Sequence, residues 1–237
     1  MKKKSILALT ATTVVAFAVT ASAETNPSSA PINHELNEAA QTIRQMTSSS
    51  TTAGIPSDVL KNAKCIAVIP HLIQGGFIVG GRHGSGVATC RTSSGQWSPP
   101  APFSLTGASF GAQIGGQSID LVMMVMNSHG MQSLESGHFK LGAGVSAAAG
   151  PTGRQASASG GWNAAILTYS HSKGAYAGAT VKGAELQQDH SATKALYGHN
   201  ASFSSILNGQ VQMPSKMPAQ HFVSAVKTAV HHAEQAS

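Results

Sequence analysis

Charge is what this 237-residue sequence has least of: Asp, Glu, Lys and Arg make up 10% of it, and only nine residues are acidic. Those acids stand singly along the chain, so no carboxylate pair suggests acid–base hydrolysis. There are two cysteines, and neither a CxxC nor an HxxxH spacing accompanies them, which argues against the usual zinc frameworks. The 11 histidines are spread one by one, except for His231 and His232, which would point to different faces of a helix. GGRHGSGV lacks the Lys-Ser/Thr ending of a phosphate-binding loop and does not open a helix. No internal period repeats. No metal, cofactor or nucleic acid is expected as a partner.

Long apolar runs are also missing. The longest candidate, in MKKKSILALTATTVVAFAVTASA, is diluted by threonines and short for a membrane span. It has the form of an export signal: Lys2, Lys3 and Lys4, an apolar core, then Ala21-Ser22-Ala23 as a small-x-small cleavage site. Residues 1–23 are therefore expected to be removed, leaving a periplasmic or secreted protein. No cysteine follows the cleavage site to carry a lipid anchor. The 15 basic residues less the leader's three leave 12 against nine acids, a mild excess of +3. Such a balance favours anionic surfaces only weakly.

What is present is small side chains and strand-like runs. Residues 24–54 read as a polar lead-in and an amphipathic helix, with Asn33 as a cap and Leu36, Ala39, Ala40, Ile43 and Met46 on one face. Residues 55–237 read as one domain with a further helix from about Pro218. IPSDVLKNAK suggests a short helix, CIAVIP a strand, and GGFIVGGRHGSGVATCR a hairpin turning at HGSG. SIDLVMMVMN suggests a strand buried on both faces. AAILTYSHSKGAYAGATVKGAEL suggests a second hairpin turning at Ser172-Lys173-Gly174, and Asp189 a helix cap. The fold expected is α+β: one domain with a mostly antiparallel, glycine-rich curved sheet and helices at both ends. Cys65 and Cys90 lie near the ends of two strand-like runs. In an oxidising compartment they can pair, contributing roughly 3 kcal/mol; two buried free thiols are the alternative.

GASFG, residues 107–111, fits the pattern that holds the nucleophilic serine of many hydrolases. That elbow needs a helix directly after Ser109. FGAQIGGQSIDLVMMVM follows instead, and each of its glycines would cost a helix about 1 kcal/mol relative to alanine. A close-packed strand is the better reading, and a serine hydrolase the remote one. The basic residues Lys61, Lys64, Arg82, Arg91, Arg154, Lys173 and Lys182 sit beside glycine turns or strand ends. Beside exposed backbone N–H groups, such residues can hold a phosphate headgroup. Surface solubilisation is the alternative for any one of them.

In order along the chain, IPSDVLKNAKCIAVIP, GGFIVGGRHGSGVATCR, WSPPAPFSLTGASFGAQIGGQSIDLVMMVMN, LGAGVSAAAGPTGR and YSHSKGAYAGATVKGAEL resemble the SYLF domain family, in its exported bacterial branch, over roughly residues 55–198. The resemblance implies a non-enzymatic, lipid-binding module. Eukaryotic members bind phosphoinositides and some bind actin, while bacterial ones are associated with lipid or the cell envelope. It thus makes Lys61, Lys64, Arg82, Arg154, Lys173 and Lys182 candidates for phospholipid headgroup contact at a membrane surface. An envelope protein partner is the second reading, and no actin partner is expected for an exported chain. The sequence departs from the family pattern at Gly144, where an acid is usual, and at His171, where an arginine is usual. A protonated His171 would restore that charge and make binding pH-sensitive.

Overall fold

The computed structural model describes residues 29–48, 54–143, 145–151, 164–172, 175–178 and 181–236; for 77–79, 109–115 and 175–178 it describes the backbone alone. Two strands dominate it, β1 (Cys65–Cys90) and β2 (Ala101–Val125). They pair antiparallel from Cys65↔Val125 to Ala88↔Ala101, forming one long ribbon. Laid straight, a 26-residue strand would span roughly 85 Å. Yet the Cα atoms of Cys65 and Cys90 lie 4.0 Å apart and their sulfurs are bonded. The ribbon is folded back on itself.

Two irregularities bend it. Between Ile69 and Leu72 strand β1 carries an extra residue, and His71 there takes a positive φ of 58°. Between Gly76 and Ile78 the excess lies on β2, whose partners jump from Gly115 to Gly111. Bulges of this kind bend the strand that carries them. The two halves of β1 then meet face to face, Arg91 N–H donating to the Lys64 carbonyl at 2.8 Å. At Gly86 the approach is so close that a Cβ would lie 2.5 Å from the Val68 carbonyl oxygen. Close approach of this kind accounts for Gly84 and Gly86 in GGRHGSGV. The hairpin turn expected at HGSG does not exist; those residues are mid-strand, and the turn lies at Thr92–Gly95, where Gly95 N–H donates to the Thr92 carbonyl.

The remaining strands are β3 (His138–Lys140), β4 (Ala147–Ala149), β5 (Ile166–Ser172), β6 (Ala175–Gly178) and β7 (Glu185–Gln188). Along the sheet the order is β3-β7-β2-β5-β4, with β1 on β2 and β6 on β5. All the pairings are antiparallel except β4 with β5. The second hairpin forms between β5 and β6, with Ser172 pairing Ala175, while Lys173 and Gly174 of its expected turn lie outside the described residues and Glu185–Gln188 pairs with β2 and β3 instead. The period of two in CIAVIP and LVMMV sorts side chains to the two faces. Ile66, Val68, Val122 and Met124 join one apolar cluster, and Ala67, Ile69, Leu121 and Met123 the other.

Helices α1 (Ala30–Met46), α2 (Ser57–Asn62) and α6 (Met217–Gln235) cover the first face. In α1 the buried Leu36, Ala39, Ala40, Ile43 and Met46 match the expected stripe. Asn33 does not cap it: the helix begins at Ala30, because Pro31 needs no N–H partner in the first turn. Helices α3 (Ser128–Glu135) and α5 (Phe203–Leu207) close the second cluster inside the folded ribbon. Between them, α4 (His190–Tyr197) starts at Asp189, whose carboxylate accepts from Ala192 N–H at 2.9 Å.

Candidate functional site

The basic candidates separate to opposite ends of the folded ribbon. Lys61 and Lys64 lie at the disulfide end, where Lys61 Nζ sits 2.7 Å from Asp58 Oδ1. Arg91 is committed to holding that end together. Its Nε donates to the Ala63 carbonyl and its Nη2 to that of Lys61, at 3.2 and 3.4 Å. The guanidinium also lies 3.6 Å from Glu234 and over the Trp97 ring. The arrangement clasps α2 and α6 to the strand end, so this cluster is architectural.

Arg82 and Lys182 both lie toward the bend end, linked through Gly107 and Ala184. Arg82 is not at a turn; it is half-buried within β1, where burial lowers its pKa, and it pairs in register with Gly107. On the far side of Gly107 lies Ala184, so close that a Cβ on Gly107 would sit 2.8 Å from its Cα. Ala184 ends the turn that presents Lys182 and Gly183, the latter at φ 79°. Gly183 N–H donates to the Leu141 carbonyl at 2.7 Å, and Leu141 N–H to the Ala184 carbonyl at 2.8 Å. The exposed Lys182 lies along Gly142, itself at φ 83°, and two residues before that the exposed Lys140 pairs with Glu185. Lys140 escaped the sequence reading, although Lys140-Leu141-Gly142 carries the signal used for the others, a cation beside a glycine turn. Arg154 and Lys173 lie outside the described residues, as does Gly144.

These cations surround the base of an exposed ribbon. Between 107 and 119, β2 has β1 along one edge and no strand along the other among the described residues. Gly81 and Gly116 have no heavy atom within 4 Å of where a Cβ would stand. Ser109 lies within this part of β2, paired with Gly80, and the strand continues to Val125. The strand-to-helix elbow that a serine nucleophile requires is not there.

On the other side of the base runs a chain of alternating histidines and acids. His34 lies 4.0 Å from Glu38, Glu38 3.4 Å from His71, and Asp120 3.7 Å from both His71 and His171. Asp120 also accepts from the His71 N–H, at 3.1 Å. His171, at 12% side-chain exposure, faces this acid rather than open solvent. Among the described residues no group of three or more His, Cys, Asp or Glu is placed to hold a metal ion. Nor is any described helix long and apolar enough to cross a membrane.

Two other features belong to the architecture. An open groove of about 670 Å³ lies between α1, α2 and α6, with Arg44 and His232 at its rim and Ile55 and Leu60 in its floor. Both long helices end there, so Arg44 and His232 complement carbonyl dipoles that would repel an anion. Glu35, on α1, has its carboxyl pushed up to about 8, first by burial and then by Asp189.

Sequence comparison adds a further finding. The family model described as "Ysc84: Las17-binding protein actin regulator" matches residues 106–229. LAS seventeen-binding protein 3 of Saccharomyces cerevisiae is 36% identical over 198 residues, covering 80% of this chain and 43% of its own length. Protein YSC84 of the same yeast is also 36% identical, over 42% of its length. SH3 domain-containing YSC84-like protein 1 of Mus musculus is 30% identical over 198 residues, 58% of its length. The chain thus spans well under two thirds of these relatives. No solved structure matches it.

Proposed function

From the premise that the chain belongs to the Ysc84 (SYLF) family, we propose that it is a non-enzymatic protein that binds anionic phospholipid peripherally at a bacterial cell envelope. Family descriptions name binding and regulation rather than catalysis. The observation that carries the reading is that the register through Gly107 and Ala184 brings Arg82 and Lys182, 100 positions apart in sequence, to one end of the ribbon, where the turns at Gly142 and Gly183 also present Lys140. Cations beside backbone N–H groups suit phosphate oxygens. Lys61, paired with Asp58, and Lys64 lie at the other end of the ribbon and are not part of this group of cations. Export to the envelope rests on the leader, and the purified mature chain is expected to begin at Glu24 on N-terminal sequencing.

The test is co-flotation with vesicles of phosphatidylcholine alone and with added phosphatidylglycerol, at low and high salt. Binding is expected only with the anionic vesicles, and weaker at high salt. Each cation near such a surface contributes about 1 kcal/mol. Lys140→Gln with Lys182→Gln should therefore weaken binding roughly 30-fold. No flotation under any condition, with a protein co-purifying from the envelope, would replace this reading by a protein-binding one, which the relatives' names also favour.

A further inference from the structure

Resting on that reading, we propose that the bent middle of the β1–β2 ribbon, residues 73–81 and 107–118, enters the boundary between headgroups and hydrocarbon while the cations at its base stay with the phosphates. The two segments are IQGGFIVGG and GASFGAQIGGQS, which hold no charged residue and bring Ile73, Phe77, Ile78, Val79, Phe110 and Ile114 to one projection. Many of its described positions are open to solvent, with Gln74, Gly75, Gly80 and Gly107 half-buried. Ile73 is 63% exposed, and Gly76, Gly81, Ala108 and residues 116–118 are exposed as well. A contiguous apolar patch, unlike a lone exposed side chain, marks an interaction surface, and the two uncharged segments hold five more large apolar residues in sequence besides Ile73.

The occupant follows from charge and from backbone pairing. Arg82, His83, Lys140 and Lys182 lie about one side of the base, with Glu185 in register with Lys140, and on the other side the acids Glu38 and Asp120 each lie between two histidines. An uncharged apolar tip above a cationic rim matches an anionic bilayer surface, apolar inside and negative at its face. The ladder between β1 and β2 pairs the inner backbone on either side of the irregularity between Gly76 and Ile78, where residues 112–114 have no register partner. The outer edge of β2 from 107 to 119 has no strand partner among the described residues, and unpaired edges are not tolerated in hydrocarbon. Entry is therefore shallow.

Because both native cysteines are in the disulfide, an added thiol is the sole site for labelling. Ile73→Cys, carrying a nitrobenzoxadiazole dye, should shift to the blue on phosphatidylglycerol-containing vesicles and be quenched by brominated acyl chains. Ser94→Cys with the same dye, at the exposed loop of the opposite end, should do neither. Flotation with no change at position 73 would overturn insertion and leave the headgroup reading standing. No flotation would overturn both. A concentration-dependent shift without vesicles would assign the surface to a second copy of the chain and overturn the proposal. Ile73→Asp, at an unchanged melting temperature, should lose at least tenfold of the binding that survives high salt.

Discussion

Glu35 holds a proton in the folded chain that the unfolded chain gives up near its ordinary value of 4.5. Between that value and about 8 the unfolded state binds fewer protons than the folded one, so stability falls as pH rises through the window. Glu35→Gln should abolish the slope, matching the parent near pH 4 and exceeding it at pH 8, as read from urea midpoints across that range. The periodicity of α1 places Glu35 on the polar face. The charge that acts on it is Asp189, the cap of α4 some 150 positions further on, and no local pattern announces that approach. Gly86 makes the opposite case, since its constraint is steric and its nearest neighbour is backbone. Gly86→Ala should cost about 1–3 kcal/mol by overpacking, read as a lower urea midpoint at an unchanged slope.

At the scale of elements, the disulfide joins the two ends of one strand rather than two strands of a hairpin. Cys65→Ser with Cys90→Ser should lower stability by about 3 kcal/mol from chain entropy, and treatment of the parent with reductant should reproduce the loss. The helices and the strand alternation were legible because each reports a local face: α6 from its stripe, α4 from its cap, and LVMMV from the two clusters it feeds. The HGSG hairpin misled for a physical reason. Glycine permits a turn, and it equally permits two backbones to approach, as at Gly84 and Gly86. The local sequence does not distinguish the two uses; the pairing partner does.

At the scale of the whole molecule, the ribbon's double bend puts its architectural cations at one end and its exposed ones at the other. Arg82 and Lys182 each carry a local signal, but only the register through Gly107 and Ala184 shows that they share a place. Charge reversal at the two ends should therefore be asymmetric. Lys140→Glu with Lys182→Glu should abolish flotation on anionic vesicles, while Lys64→Glu should change it less than twofold. The covalent circle from Cys65 to Cys90 has a practical corollary. The exposed positions within 73–83 offer a protease extended chain, and any cut between 66 and 89 falls inside the circle. A nicked molecule should run as one piece on a denaturing gel and part into two only after reduction. Damage at this exposed stretch need not detach either half.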